Sequence, residues 1–300
     1  MNTLGVLFLA LIMQLLSVWA HPVRAQTLAR IQQSGQVSLG YLADQPPFSF
    51  QASDGKPNGY AVDLCGAVVD ALKARLQFPD LKAKYVRVTR ANGLDMVESG
   101  QVDVLCAAVP ETLKARERVS FSIPIYVGGL GVMVRADAPA AFKNVLNGGV
   151  ARRGPTWRAT INGGLQNRSY AVLAGSPTES LVRERITTMG VIAKVVPIQT
   201  YEAGAGMLER GEVDALFGDR ATLTTLAAGR NGTELEVLDR RFTLDPAGLV
   251  IQRGDENFRL TVDTALSVLY RSGAVLTTYS RHFGEPNETA RLLFLAYSLP

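Results

Sequence analysis

Asp219 closes an apolar run, 213–217, and opens a helical pattern that continues to 230. A carboxylate at the C-terminal edge of a strand stands where α/β folds open their ligand clefts, and it can meet a cation there. The same side chain is a favoured helix N-cap, and the two roles are compatible. A second junction, Gly175-Ser176-Pro177-Thr178-Glu179, has capping-box spacing from Ser176 to Glu179, with proline at the first helical position. Its backbone N–H groups could also face an anion. Only two histidines occur, His21 and His282. That is too few for a histidine metal cluster, and the two cysteines lack metal-ligand spacing, so no metal or cofactor is expected. No G-x-S-x-G, G-x-G-x-x-G or P-loop motif is present, which argues against common hydrolase, dehydrogenase and kinase chemistries.

Composition limits the partners. The chain has 300 residues, 47% hydrophobic and 19% charged, so it is an ordered chain with a sizeable core. Its net charge of +4 comes from scattered basic residues, with only Arg152–Arg153 and Arg240–Arg241 adjacent. A nucleic-acid footprint would be clustered, so nucleic acid is not an expected partner. Residues 4–20 are apolar except for Gln14 and Ser17, and Val23-Arg24-Ala25 follows as a small-x-small cleavage pattern. This predicts a secretory signal over 1–25 and a mature chain from Gln26, with an uncleaved anchor as the alternative. No cysteine follows the apolar run, so a lipid anchor is not expected. Export makes a Cys65–Cys106 disulfide the expected state of the two cysteines, against two buried thiols.

The elements around these residues alternate in an α/β manner. Strands are predicted at 37–42, 84–88, 102–106, 169–173, 193–196, 213–217 and 249–252. Helices are predicted at 59–77, 92–99, 178–189, 201–210, 257–271 and 274–283, and 43–58 reads as a turn-rich loop. An internal echo relates the halves: Val97-Glu98-Ser99-Gly100-Gln101-Val102-Asp103-Val104-Leu105 matches Leu208-Glu209-Arg210-Gly211-Glu212-Val213-Asp214-Ala215-Leu216. Each reads as a helix end, a glycine able to take the left-handed cap, and a polar-Val-Asp entry into a buried strand. Two lobes of one design are the expectation. Crossings are predicted near 131–135 and 246–250, giving a discontinuous first lobe (26–133 plus 249–300) and a second lobe at 134–248. Within the second lobe, 136–168 reads as an irregular surface insertion carrying Arg152, Arg153 and Arg158.

The sequence resembles the periplasmic solute-binding proteins of amino-acid-type ABC transporters, bacterial solute-binding protein family 3. The likeness rests on Gly59-Tyr60-Ala61-Val62-Asp63-Leu64 with Val68-Val69 and Leu72, on Gln45-Pro46-Pro47-Phe48, on Phe121-Ser122-Ile123-Pro124, on Val213-Asp214-Ala215-Leu216-Phe217-Gly218-Asp219-Arg220 and on Leu269-Tyr270-Arg271-Ser272-Gly273. It spans nearly all of 34–285. The resemblance implies an α/β fold of two Rossmann-like lobes joined by a two-strand hinge, the type II periplasmic binding protein arrangement. It implies a monomeric periplasmic receptor that closes on a small polar solute, an amino acid or related zwitterion, and hands it to an ABC permease in the inner membrane. A ligand-sensing or accessory subunit with an altered pocket is the alternative. A cyclohexadienyl-dehydratase-like enzyme, with Glu111 as its acid or base, is a third reading.

The resemblance also implies site residues. Asp219 falls where the family binds the ligand ammonium, Phe48 resembles a ligand-stacking wall, and Ser176 and Thr178 flank the second-lobe anion seat. Arg90 falls near a pocket position. The carboxylate clamp departs from the family: Ala108 and Pro110 stand at hydroxyl positions, Ala115 at the usual arginine, and Pro177 at a usual threonine. Arg116 lies one residue later, about 100° around a helix, and is the expected substitute for the missing arginine.

Overall fold

The computed structural model describes residues 27–149, 163–230 and 235–300. The expected signal segment 1–25 and the basic part of the expected insertion, with Arg152, Arg153 and Arg158, lie outside them. The chain runs α1 (Thr27–Ser34), β1 (Gln36–Leu42), β2 (Asp44–Gln45), β3 (Ser49–Gln51), β4 (Pro57–Asn58), α2 (Tyr60–Leu76), β5 (Lys82–Val88), α3 (Gly93–Glu98), β6 (Val104–Pro110), α4 (Leu113–Arg116), β7 (Val119–Phe121) and β8 (Tyr126–Gly128). It continues with β9 (Leu130–Arg135), α5 (Ala140–Leu146), β10 (Arg168–Leu173), α6 (Pro177–Met189), β11 (Ala193–Ile198), α7 (Tyr201–Glu209), β12 (Ala215–Asp219), α8 (Arg220–Ala228), β13 (Leu235–Val237), β14 (Asp245–Gln252), α9 (Glu256–Ser272), α10 (Ala274–Phe283) and α11 (Glu288–Ala296).

Two sheets divide these strands. The first has the order β5-β1-β6-β14-β7, with β8 also paired to β14; the second has the order β11-β10-β12-β9-β13. In each, three strands run parallel and a fourth lies antiparallel beside them: β14 beside β6, and β9 beside β12. The two sheets are equivalent. The first sheet is completed by β14, which follows the return passage, so it is built from two segments of chain, whereas the strands of the second all lie within 130–237.

The parallel strands read as unbroken apolar runs because both faces are covered. Along β6, Val104, Cys106 and Ala108 join one core with α2 and α9, while Leu105 and Ala107 join the core on the opposite face. The helices answer with apolar residues four apart: Leu64, Val68 and Leu72 on α2, and Phe258, Val262, Leu266 and Tyr270 on α9. In β12, Ala215 and Phe217 face one core and Leu216 the other. Cys65 and Cys106 are both fully buried and form the disulfide, with Cα atoms 6.0 Å apart, tying α2 to the middle of β6.

The echoed segments occupy the same junction in the two sheets. Gly100 and Gly211 both adopt positive φ, 76° and 72°. Asp103 accepts the Ser38 N–H at 2.7 Å and donates its own N–H to the Ser38 carbonyl at 2.8 Å. Asp214 does the same with Ser169, at 2.8 and 2.9 Å. Each aspartate also takes an arginine, Arg30 at 2.5 Å and Arg168 at 2.9 Å. The shared sequence therefore encodes a shared lock between the first and third parallel strands of each sheet.

Several expectations change. The chain leaves the first sheet at Gly128 and enters the second at Leu130, so the passage falls at Gly129 and not within 131–135. The return ends at Asp245, where β14 pairs with Gly128. A Cβ on Gly129 would lie 2.4 Å from the Thr243 carbonyl oxygen, so only glycine lets the two passages touch. Within the expected irregular insertion, 140–146 is the helix α5. The expected loop 43–58 pairs as a small three-stranded sheet. The α11 helix was not expected; Asn287 caps it, and Ala290, Leu293 and Phe294 bury one face.

The family-like motif opening α2 is consumed by the lobe itself. The Tyr60 hydroxyl donates to the Ile125 carbonyl at 2.9 Å. Asp63 receives both Arg281 and His282 of α10, each at 2.7 Å. Burial raises the Asp63 pKa, but the bonds and charges of His282 and Arg281 outweigh it and hold the carboxyl below its ordinary value. Stability from this group is thus present above the unfolded pKa and lost as pH falls through the folded one.

Two outcomes follow from these ties. Replacing both cysteines by alanine should lower unfolding stability by about 4 kcal/mol from chain entropy for a loop of this length, read as a reduced urea midpoint. Asp63→Asn should cost about 1–2 kcal/mol in the same measurement at pH 7 while leaving ligand affinity intact, and the gap from wild type should close on acidification.

Candidate functional site

The C-terminal ends of the parallel strands β5 and β11 lead to Arg90 and Tyr201, which touch, and strand ends of this kind are where α/β folds open ligand clefts. Asp219 stands at the end of β12 and is the N-cap of α8: its Oδ1 accepts the N–H groups of Ala221 at 3.0 Å and Thr222 at 3.1 Å. A Cβ on Gly128 would sit 2.8 Å from Asp219 Oδ2, so the crossing glycine admits the carboxylate against the passage between lobes. Desolvation raises the Asp219 pKa, and the N–H bonds from Thr222, Gly129 and Ala221 only partly offset it. Among the described residues Asp219 has no ion pair. Its neighbour Arg220 turns away, to the Leu238 carbonyl and Asp239.

Two tyrosines flank this carboxylate. Tyr201, at the start of α7, lies against Gly218, where a Cβ would meet its ring at 2.5 Å. Burial and the Asp219 charge push the Tyr201 hydroxyl up to about 12. Tyr126 of β8 is likewise raised by burial and then by Asp219. Phe48 packs against Tyr126 with ring centroids 4.8 Å apart and against Phe283 at 5.3 Å, and it is 1% exposed. Phe48 is therefore core, supporting Tyr126 from behind. The ring beside Asp219 is Tyr126 and not Phe48.

Arg90 lies in the β5–α3 connection of the first lobe. It donates to Asp44 Oδ2 at 2.6 Å and to the Asp44 carbonyl at 3.2 Å, and its guanidinium lies 5.7 Å from the Tyr201 ring centroid. Tyr201 follows β11 as Arg90 follows β5. These are equivalent connections on the edge strands furthest in sheet order from the crossing, so the lobes meet there through one cation–π contact. Beside Asp44, Gln45 donates its Nε2 to the Ala108 carbonyl at 3.2 Å; its Oε1 is buried with no partner among the described residues.

The other expected clamp residues are occupied elsewhere. Arg116 ends the short α4, is about half exposed, pairs with Glu111 and stacks over Phe121 at 5.8 Å. The one-residue shift has turned it from the cleft onto its own lobe. Glu111 has its side chain 6% exposed, with Oε1 packed near Gly248 and Ser122. Ser176 caps α6 by accepting the Glu179 N–H at 3.3 Å, and Glu179 Oε2 accepts the Gly175 N–H at 2.8 Å. Arg183 and the Gly175 N–H hold Glu179 below its ordinary pKa, so a negative charge already sits at this helix start. Thr178 is exposed.

The contacts thus join Arg90, Tyr201 and Asp219, with Tyr126 beside them, and leave Arg116, Ser176 and Phe48 with structural partners of their own. Sequence reasoning missed Tyr201, Tyr126, Asp44 and Gln45. Thr200-Tyr201 at a strand-to-helix junction was the available signal for Tyr201, since it mirrors the connection bearing Arg90. No group of three or more His, Cys, Asp or Glu able to hold a metal occurs among the described residues.

The family model of the bacterial extracellular solute-binding proteins, family 3, matches residues 37–285. The chain is 26% identical over 262 residues to the L-glutamate/L-aspartate-binding protein of Pseudomonas aeruginosa, covering 87% of this chain and 80% of that protein. It is 22% identical over 261 residues to the L-cystine-binding protein TcyJ of Escherichia coli, covering 86% of each. Among solved structures it is similar to an ancestral amino acid-binding protein, a precursor of cyclohexadienyl dehydratase, with TM-score 0.70, 22% identity, and 86% of this chain and all of that one covered.

Because the Asp219 pKa is raised in the folded protein, protonation favours the fold, and stability falls as pH rises through the folded value. Asn caps a helix about as well as Asp. Asp219→Asn should therefore raise the melting temperature of ligand-stripped protein at pH 7, by an amount that shrinks toward acid pH. An unchanged or lowered melting temperature at pH 7 contradicts the uncompensated charge.

Proposed function

The chain belongs to the bacterial extracellular solute-binding proteins, family 3, and from that premise we propose that it captures a small amine-bearing solute, an amino acid or a relative of one, at Asp219. It is a solute-binding receptor. The observation that carries the choice of solute is a partly buried, desolvated carboxylate at a strand end that forms no ion pair among the described residues. A protonated amine supplies the missing charge, with Tyr126 and Tyr201 as its walls.

The ABC permease of the inner membrane is the proposed recipient, and the periplasm the proposed site of action of a monomer without a lipid anchor. We read the protein as a binder and not an enzyme. Glu111, the one carboxylate near the altered clamp that could act as a general acid or base, is already held by Arg116. The ancestral neighbour shows that the fold also supports lyase descendants, so product analysis with prephenate or arogenate tests this directly.

The decisive experiment begins with mass spectrometry of natively purified protein to identify a bound solute, followed by calorimetry with that solute. A buried charge stripped of its partner costs about 3–5 kcal/mol, or roughly two to three and a half decades of affinity. Asp219→Ala and Asp219→Asn should both lose that much. Wild-type affinity in Asp219→Asn would mean that no ammonium meets this carboxylate, and the amine reading would fall.

A further inference from the structure

The lobes are joined by the passage at Gly129 and its return, and they touch again where Arg90 of the first lobe lies 5.7 Å from the Tyr201 ring centroid of the second. Each partner is held by its own lobe. Arg90 donates to the Asp44 carboxylate at 2.6 Å and to the Asp44 carbonyl at 3.2 Å, which fixes its guanidinium just past β5. Tyr201 is fixed just past β11. Thr200 caps α7 there by accepting the Ala203 N–H at 3.1 Å. The Tyr201 ring packs on Gly218, where a Cβ would come within 2.5 Å, and the Asp219 N–H donates to its hydroxyl oxygen. The ordering of both side chains is thus met inside each lobe, so the contact itself costs little further entropy. All of its atoms belong to the chain, and none of them needs a solute.

We infer that Arg90 and Tyr201 form a latch that holds the two lobes closed on each other without a bound solute, so that a solute reaches Asp219 only when this contact opens. This rests on the receptor reading above and adds the regulation of that site. The leverage comes from position. β5 is the third strand from β14 in its sheet and β11 the third from β9 in the other, so the latch stands roughly 14 Å of strand spacing from the passage on each side. A rotation about Gly128–Gly129 separates the lobes most at such a distance. A guanidinium over an aromatic ring weights the closed arrangement roughly two- to thirtyfold. The latch also bears on the binding residue, because Asp219 seats Tyr201 with its backbone N–H and offers its carboxylate to the solute.

Lys84 on β5 and Lys194 on β11 are exposed, one on each lobe, and the two cysteines of the chain are consumed by the disulfide. Lys84→Cys together with Lys194→Cys therefore accepts one pair of spin labels. Pulsed electron–electron resonance on ligand-stripped protein, with no solute added, reads the separation of the lobes. With Arg90 and Tyr201 intact, one short distance should dominate. Tyr201→Leu and Arg90→Ala should each move population to a longer distance, lowering the closed-to-open ratio roughly two- to thirtyfold. The two changes combined should open the lobes no further than either alone, which a merely structural role of Tyr201 within α7 would not give. Tyr201→Phe keeps the ring and should keep the short distance. Arg90 is partly exposed, so Arg90→Ala decides the matter if Tyr201→Leu does not fold.

A long distance in the stripped protein with both residues intact, or an unchanged short distance in Arg90→Ala, overturns the latch. Opening by Tyr201→Phe as wide as by Tyr201→Leu assigns the effect to the hydroxyl and overturns it as well. None of these results touches the receptor reading, which rests on the solute found by mass spectrometry and on calorimetry of Asp219→Asn.

Discussion

A carboxylate removed from water without a cation is costly, and backbone N–H groups are the donors least demanding of extra sequence. At Asp219 the chain uses the free N–H groups at the start of α8 for this purpose, so the strand end, the helix start and the crossing at Gly128–Gly129 must meet at one point. That requirement explains the glycines. A side chain at 128 would strike the carboxylate, and one at 129 would strike the returning passage at Thr243. The positions of β9, β12 and β14 are then coupled, because β9 pairs with β12 beside Asp219 while the residue preceding the crossing pairs with the start of β14. The Asp219 carboxylate and the passage between the sheets are one piece of construction.

The two lobes show where a shared design is kept and where it diverges. Asp103 and Asp214 make the same pair of backbone bonds and the same kind of arginine contact, because each must lock a buried parallel strand to its neighbour-but-one in sequence. The connections after β5 and β11 answer to no such requirement. They face each other across the cleft, and there one lobe carries Arg90 and the other Tyr201. Equivalent positions can diverge where they serve contact between lobes. They cannot where they carry the register within a sheet.

The fold was legible because its signals are local and periodic. The apolar runs 37–42, 102–106 and 213–217, the helix-glycine-strand echo, and the four-residue spacing on α2 and α9 each specify an element without reference to anything distant. What was lost required long-range pairing. The strands of 43–58 exist through bonds to one another and to β1, and α11 through packing on distant aromatics. The site was legible at Asp219, where strand end and helix start coincide in the sequence, and at Arg90, just before a predicted helix. Arg116 looked like a displaced clamp because the sequence does not reveal that Glu111 holds it. Phe48 looked like a wall because the sequence does not reveal that Tyr126 stands in front of it.

Membership in a family and choice of ligand are therefore written in different residues. Tyr60 and Asp63, which carry the resemblance most visibly, spend their polar groups on the Ile125 carbonyl and on α10, inside one lobe. They secure the first lobe whatever solute is bound. The ligand is chosen where side chains emerge from the ends of parallel strands, and there the chain has replaced hydroxyls by Ala108 and Pro110 and the clamp arginine by Ala115. Ala108 and Pro110 keep their places in β6, where Ala108 joins the core and Pro110 pairs with Ala247 of β14, while the carboxylates of Asp44, Glu111 and Glu179 hold Arg90, Arg116 and Arg183. A receptor can thus keep the bonds that secure its scaffold while the side chains at its strand ends change.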